Sequence, residues 1–153
     1  MTKRTRVACS LVASALLLSA FHAVQAEQNK PAAASNAVTV TVKYAGKGTV
    51  DADHRIWVWL FTSPDIGPGS VPIAEESIQK NGGRATFADV AAKEVYVAIA
   101  YDEKGGFVGS GPPPVGSPIA LYGAKGPTDK PLPVVPGAKG SVSVTFTDAQ
   151  RMQ

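Results

Sequence analysis

The chain reads as an all-β protein, an antiparallel sandwich of about seven strands carrying one long Gly/Pro-rich loop. Three observations predict this. Val38-Thr39-Val40-Thr41-Val42-Lys43-Tyr44 alternates apolar and polar residues without a break, which is the period of a half-buried strand. Ile56-Trp57-Val58-Trp59-Leu60-Phe61 is apolar on both faces, aliphatic at Ile56, Val58 and Leu60 and aromatic at Trp57, Trp59 and Phe61. β-Branched and aromatic residues favour a pleated strand, and this run is too short for an ordinary helix. No amphipathic helical period and no internal repeat appears along the chain. A strand apolar on both faces belongs at the centre of a sheet with cover on each side, so the rest of the fold is organised around Ile56 to Phe61.

The first residues set the compartment. Lys3, Arg4 and Arg6 precede an apolar run from Val7 to Phe21, followed by Val24-Gln25-Ala26. This is the layout of a secretory signal peptide, residues 1–26, with cleavage expected after Ala26. The apolar run is short for a membrane span, and no later stretch is long enough to cross a bilayer. The single cysteine, Cys9, lies near the start of this segment, whereas a lipid anchor needs its cysteine just after the apolar run. The mature chain is therefore expected to be periplasmic or extracellular, free of disulfides and held by an apolar core. Lys3, Arg4 and Arg6 are three of 15 basic residues, against 12 acidic ones. Their removal balances the charge, which gives no reason to expect nucleic acid as a partner.

Residues 27–37 are polar, Ala-rich and contain Pro31, and read as a flexible leader. Residues 38–148 are of a length that suits a single β-sandwich domain. Within it, Ala45-Gly46-Lys47-Gly48 ends the first strand, and residues 62–70, with Pro64, Gly67, Pro68 and Gly69, form a loop. Pro72 to Gln79 predicts an irregular or edge strand, because Glu75-Glu76 interrupts the apolar residues. Lys80-Asn81-Gly82-Gly83 predicts a tight turn, since Asn and Gly tolerate positive φ. Arg84 to Phe87 resumes a strand, and Asp89 to Lys93 is read as a connector, one helical turn in length. Glu94 to Tyr101 is a strong strand with Val95, Val97, Ile99 and Tyr101 on one face. Ala98 and Ala100, on the other, leave room for the two indoles if the strands pair. Gly105 to Gly140 holds nine glycines and eight prolines in 36 residues, and reads as one ordered loop lying over a sheet face. Ile119 to Tyr122 and Pro133 to Val135 are its apolar islands. Ser141 to Thr147 is the last strand, and Asp148 to Gln153 a polar end.

The order of these elements from Val38 to about residue 106 carries a resemblance. A Gly turn and short strand, Asn81-Gly82-Gly83-Arg84-Ala85-Thr86-Phe87, precede a strand entered through Val95-Tyr96-Val97-Ala98-Ile99. This resembles the transthyretin-like sandwiches, also met as carboxypeptidase regulatory-like domains, within the broader Ig-like architecture. Pro136-Gly137 before the last strand looks like the closing element of many secreted sandwiches. The chain departs from the family at Ala91-Ala92-Lys93-Glu94, where a Pro-Gly pair usually precedes the strand tyrosine. The resemblance implies a non-catalytic accessory or binding domain, with no particular ligand.

The residues themselves offer few alternatives. After cleavage His54 is the one histidine left and no cysteine remains, so no zinc or copper site is expected. Asp51, Asp53, Asp102 and Glu103 have the oxygen chemistry of calcium ligands but not the spacing of a dedicated loop, and read as solvated turns. No Gly-x-Ser-x-Gly elbow exists, and Glu75 and Glu76 point to opposite faces of a strand. No catalytic residue and no cofactor is expected. Trp57, Trp59 and Phe61 admit two readings: a sugar-stacking platform, as in a carbohydrate-binding module, or core beneath the Gly/Pro segment with Leu121 and Tyr122 as lid. The second is preferred, because a small disulfide-free domain needs the apolar burial. The partner, a protein or a glycan, is then expected on the loops, with Phe107, Pro112, Pro113, Pro114 and Tyr122 as the contact surface.

Overall fold

The computed structural model describes residues 36–126 and 128–153. The expected signal peptide, residues 1–26, and residues 27–35 of the expected leader lie outside these residues. The last two leader residues are within them and are tied down. Val90 N donates to the Asn36 carbonyl (2.7 Å) and Gly137 N to that of Ala37 (2.9 Å).

The fold is all-β, with no helix among the described residues. Seven strands follow in order: β1 (Val38–Tyr44), β2 (Ile56–Phe61), β3 (Ala74–Ile78), β4 (Arg84–Phe87), β5 (Tyr96–Tyr101), β6 (Ile119–Leu121) and β7 (Ser141–Phe146). They form a three-stranded sheet, β4-β1-β7, and a four-stranded sheet, β3-β2-β5-β6. All pairings are antiparallel but one: β1 and β7 run parallel, with Val40 beside Val142 and Val42 beside Val144. An antiparallel sandwich describes the chain except at this pair, which joins its first and last strands.

The alternation read from sequence sets what each sheet buries. Val38, Val40, Val42 and Tyr44 of β1 meet Ile56, Val58 and Leu60 of β2 and Val97, Ile99 and Tyr101 of β5 in the core between the sheets. Ala85 and Phe87 of β4 and Phe146 of β7 close it. Trp57, Trp59 and Phe61 project from the opposite face of β2, as the period of two requires, and form a second cluster with Tyr96 and Ala100. β5 pairs with β2 so that Ala100 lies beside Trp57 and Ala98 beside Trp59. On the other flank β3 sets Ser77 beside Trp57 and Glu75 beside Trp59. Short neighbours on β5 leave the width that two indoles need.

β3 is the edge strand expected from its glutamates. The Lys80–Gly83 turn forms, with Gly82 at φ 77° and Gly83 N bonded to Lys80 O. It does not close a hairpin, because β3 and β4 belong to different sheets. No helical turn forms at Asp89 to Lys93; Asp89 takes φ 52° instead, a conformation that Asp tolerates better than most residues. The turn seats Val90 in the core.

The registers place two sets of connections at opposite ends of the sandwich. One end carries residues 45–55, the 79–83 turn, residues 102–118 and the chain after Phe146. The other carries residues 62–73, 88–95 and 122–140. The Gly/Pro-rich segment is thus not one loop. β6 divides it into two, and its Val134 pairs with Val95 and fills the core.

Candidate interaction surface

The first Gly/Pro-rich loop, residues 102–118, is a strap over the aromatic face. Asp102, 3% exposed, anchors its start. Its N–H donates to Arg55 O (2.8 Å), and its Oδ2 accepts the N–H of Phe107 (2.8 Å). Phe107 then lies edge-on to Trp57, at 5.7 Å and 74°, and 6.1 Å from Trp59. Trp59 Nε1 donates to Gly109 O at 3.2 Å. Gly109 sits at φ 87°, and a Cβ there would lie 2.7 Å from Trp57 Cε3 and 2.8 Å from its Cη2. Only glycine lets the backbone approach the ring this closely. Trp57 and Trp59, beneath the strap, are 8% and 4% exposed, and Phe61, beside Tyr96 at the far end of the same face, is 8% exposed. A saccharide finds no open ring face there. Trp57 Nε1, on the indole edge away from Gly109, is buried without a hydrogen-bond partner.

The strap is clamped at its other end by the C-terminal residues, which are not a free polar end. Ile119 N donates to Gln150 O (3.0 Å), Met152 N to Ser117 O (2.9 Å) and Gly116 N to Met152 O (2.9 Å). Arg151 Nη1 donates to Gly116 O (2.6 Å) and to Glu103 Oε2 (2.7 Å), while its Nη2 lies 3.5 Å from Asp148. The Glu103 hydrogen bond raises the Arg151 pKa further.

Behind the clamp, Tyr44 Oη donates to Asp148 Oδ1, and Lys47 N donates to Asp148 Oδ2 (3.0 Å). Burial first, and then that bond, pushes the Tyr44 phenol well above its usual range. The same phenol, followed by the Lys47 N–H, holds the Asp148 carboxyl below its own. The Tyr44 ring packs on Tyr101 at 4.3 Å and on Phe146 at 5.0 Å. Nearby, Asp51 Oδ1 accepts from Asp53 N (2.9 Å) and His54 N (2.8 Å) and lies 3.0 Å from His54 Nδ1. The backbone N–H of His54, and then its ring, lowers the Asp51 pKa.

These loops frame two recesses. One, about 300 Å³, is lined by Lys47, Thr49, Asp51, His54, Tyr101 and Glu103. The other, about 220 Å³, lies between Asp53, Arg55 and Trp57 and the strap residues Phe107 and Val108. The four carboxylates weighed for calcium do not converge at this end: Asp51 closes its own turn around Asp53, Asp102 anchors the strap and Glu103 meets Arg151. Among the described residues no group of three or more His, Cys, Asp or Glu side chains is arranged to hold a metal.

The expected contact residues are therefore dispersed. Pro112 is exposed, and Pro113 and Pro114 are half-buried on the strap. Phe107 is the inner face of the strap, lying on the indoles. Tyr122 follows β6 at the opposite end and packs on the core between the sheets, not on the indoles. The strap instead presents Val108 and Val115, 72% and 70% exposed. Neither stands out in the sequence, because lone valines between glycines carry no period. Arg151 does not stand out either, and Asp102 stands out only as an oxygen ligand in a turn, since their partners are set by loop geometry and by contacts far along the chain. Comparison with family models, with curated proteins and with solved structures finds no match to this chain.

Proposed function

We propose that this protein is a non-catalytic exported β-sandwich module of the transthyretin-like kind, which binds a protein or glycan partner through the strap end. The observation that carries the reading is the pairing of exposed apolar residues with a fixed backbone. Val108 and Val115 face solvent on a strap held by Asp102, Gly109 O and the C-terminal clamp. Apolar side chains on a pre-ordered loop lose little entropy on docking, and exposed apolar groups rimmed by polar ones are a usual mark of an interaction site. Arg151, bonded to the Gly116 carbonyl next to Val115, and Glu103, bonded to Arg151, supply polar groups beside them.

The test is co-purification from the native host, comparing wild type with the double variant Val108→Asp, Val115→Asp. Both positions are exposed, so the fold is expected to persist, as tryptophan emission reports. Loss of the captured partner by the folded variant supports the reading. Capture of the same partner by both forms, or of none by wild type, refutes it.

A further inference from the structure

Four strands lie at sheet edges: β4 and β7 in one sheet, β3 and β6 in the other. Open edges present unpaired N–H and C=O groups, and proteins usually guard them with charge, proline, shortness or a cover. Three of the four follow this rule. β3 carries Glu75 and Glu76 with Pro72 ahead of it. β4 has four residues and begins with Arg84. β6 has three residues, and its approach is covered by Gln150 and Met152. β7 breaks the rule: Ser141-Val142-Ser143-Val144-Thr145-Phe146 is six residues long with no charge and no proline.

The phase of its hydrogen bonds shows which groups are open. Thr39 N donates to Gly140 O and Ala45 N to Phe146 O, both at 2.8 Å. Alternate residues of a parallel strand turn toward one neighbour, so Val142 and Val144 bond β1, and Ser141, Ser143 and Thr145 aim their N–H and C=O outward. Among the described residues these outward groups have no other strand to meet. On the inner face Val142 and Val144 are only half-buried against the core, so apolar surface also stays open along this rim.

We propose that β7 pairs antiparallel with β7 of a second copy of this chain, on a two-fold axis through Ser143. The register follows from the strand itself. Ser143 faces Ser143 of the other copy, Ser141 faces its Thr145, and Val142 faces its Val144. Outward main-chain groups thus meet outward groups, about two hydrogen bonds for each of these serine and threonine pairs. The half-buried valines cover one another on the inner side. No like charges oppose, because β7 carries none. The result is one continuous sheet, β4-β1-β7-β7-β1-β4. This does not depend on the strap as a binding surface.

The test is sedimentation of the purified protein over a range of concentrations, with Ser143→Lys and Ser143→Glu variants. Ser143 is exposed, so both variants are expected to keep the wild-type circular dichroism and melting curve. Wild type should show a monomer–dimer equilibrium. Each variant, which sets like charges face to face, should weaken it by roughly tenfold or more. An equimolar mixture of the two should restore dimer, because the introduced ammonium then meets the introduced carboxylate across the axis. A wild type that stays monomeric at every concentration overturns the proposal and leaves the edge to an unrelated extended segment. A dimer that both variants form as readily as wild type also overturns it.

Discussion

Replacing Gly109 with alanine puts the strap under direct test. Two costs add at this position. The backbone lies at φ 87°, where an L-residue other than glycine is disfavoured by about 1–2 kcal/mol. The new methyl also overlaps the Trp57 ring, which packs against Trp59 and Phe107. Overpacking of this kind costs about 1–3 kcal/mol. The sum, about 2–5 kcal/mol, falls on a contact made by one loop. The strap is therefore expected to detach before the sheets separate. Tryptophan emission should shift to the red at temperatures where far-ultraviolet circular dichroism is unchanged, and melting should fall by about 10 °C or more. Gly111→Ala is the internal control. It shares the positive φ, at 84°, but its Cβ meets nothing within 4 Å, so it should show the backbone cost alone, about 1–2 kcal/mol. Equal effects of the two substitutions, or wild-type emission in Gly109→Ala, refute the close approach on which the covered aromatic face depends.

Other predictions follow from the clamp and the core. Tyr44→Phe removes a hydrogen bond to a carboxylate and should lower stability by about 1.5–3 kcal/mol in chemical denaturation; an unchanged midpoint would remove Asp148 from the account. The raised Tyr44 and Tyr101 pKa values mean that the folded state holds these protons more tightly than the unfolded chain. That stabilisation is whole below pH ~10 and is lost as pH rises through the folded values. Phenolate absorbance for both should therefore appear late and together with unfolding, whereas free ionisation near the usual value in folded protein contradicts it. The lowered Asp51 and Asp148 values act in the opposite direction. Their contribution is present above pH ~4 and is lost as pH falls through the folded values, so Asp148→Asn should flatten the acid limb of a stability–pH curve. Leu60→Ala, fully buried between the sheets, should cost about 2–5 kcal/mol with all probes melting together; a loss below ~1 kcal/mol would place Leu60 outside the core.

What the sequence disclosed was local. β1 is legible because its burial alternates along the chain, β2 and β5 because they are short apolar runs with a different kind of side chain on each face, and the division of Ile56–Phe61 into aliphatic and aromatic faces survives intact as two clusters. The Trp–Ala pairing is legible as well, since bulk on one strand asks for smallness beside it. What escapes is relational. The Gly82 turn has the residues of a hairpin, yet it passes the chain from one sheet to the other, and no local signal separates those outcomes. β6 is too short to stand out among prolines and glycines, and its pairing with β5 decides it. Arg151 looks like part of a solvated end because Glu103 and Gly116, which it binds, lie 48 and 35 residues earlier. The strap is legible as cover for a sheet face, but Tyr122, beyond β6, cannot be told from a lid residue without the register that turns it inward.

The parallel pairing of β1 with β7 has a kinetic consequence. β1 is the middle ribbon of its sheet, and one of its two sides stays vacant until the last strand has been synthesised. Contacts spanning nearly the whole domain must form before that layer exists, which makes folding a late, cooperative event in the slow range typical of β topologies. A nascent chain truncated before Ser141 should accordingly be protease-sensitive throughout.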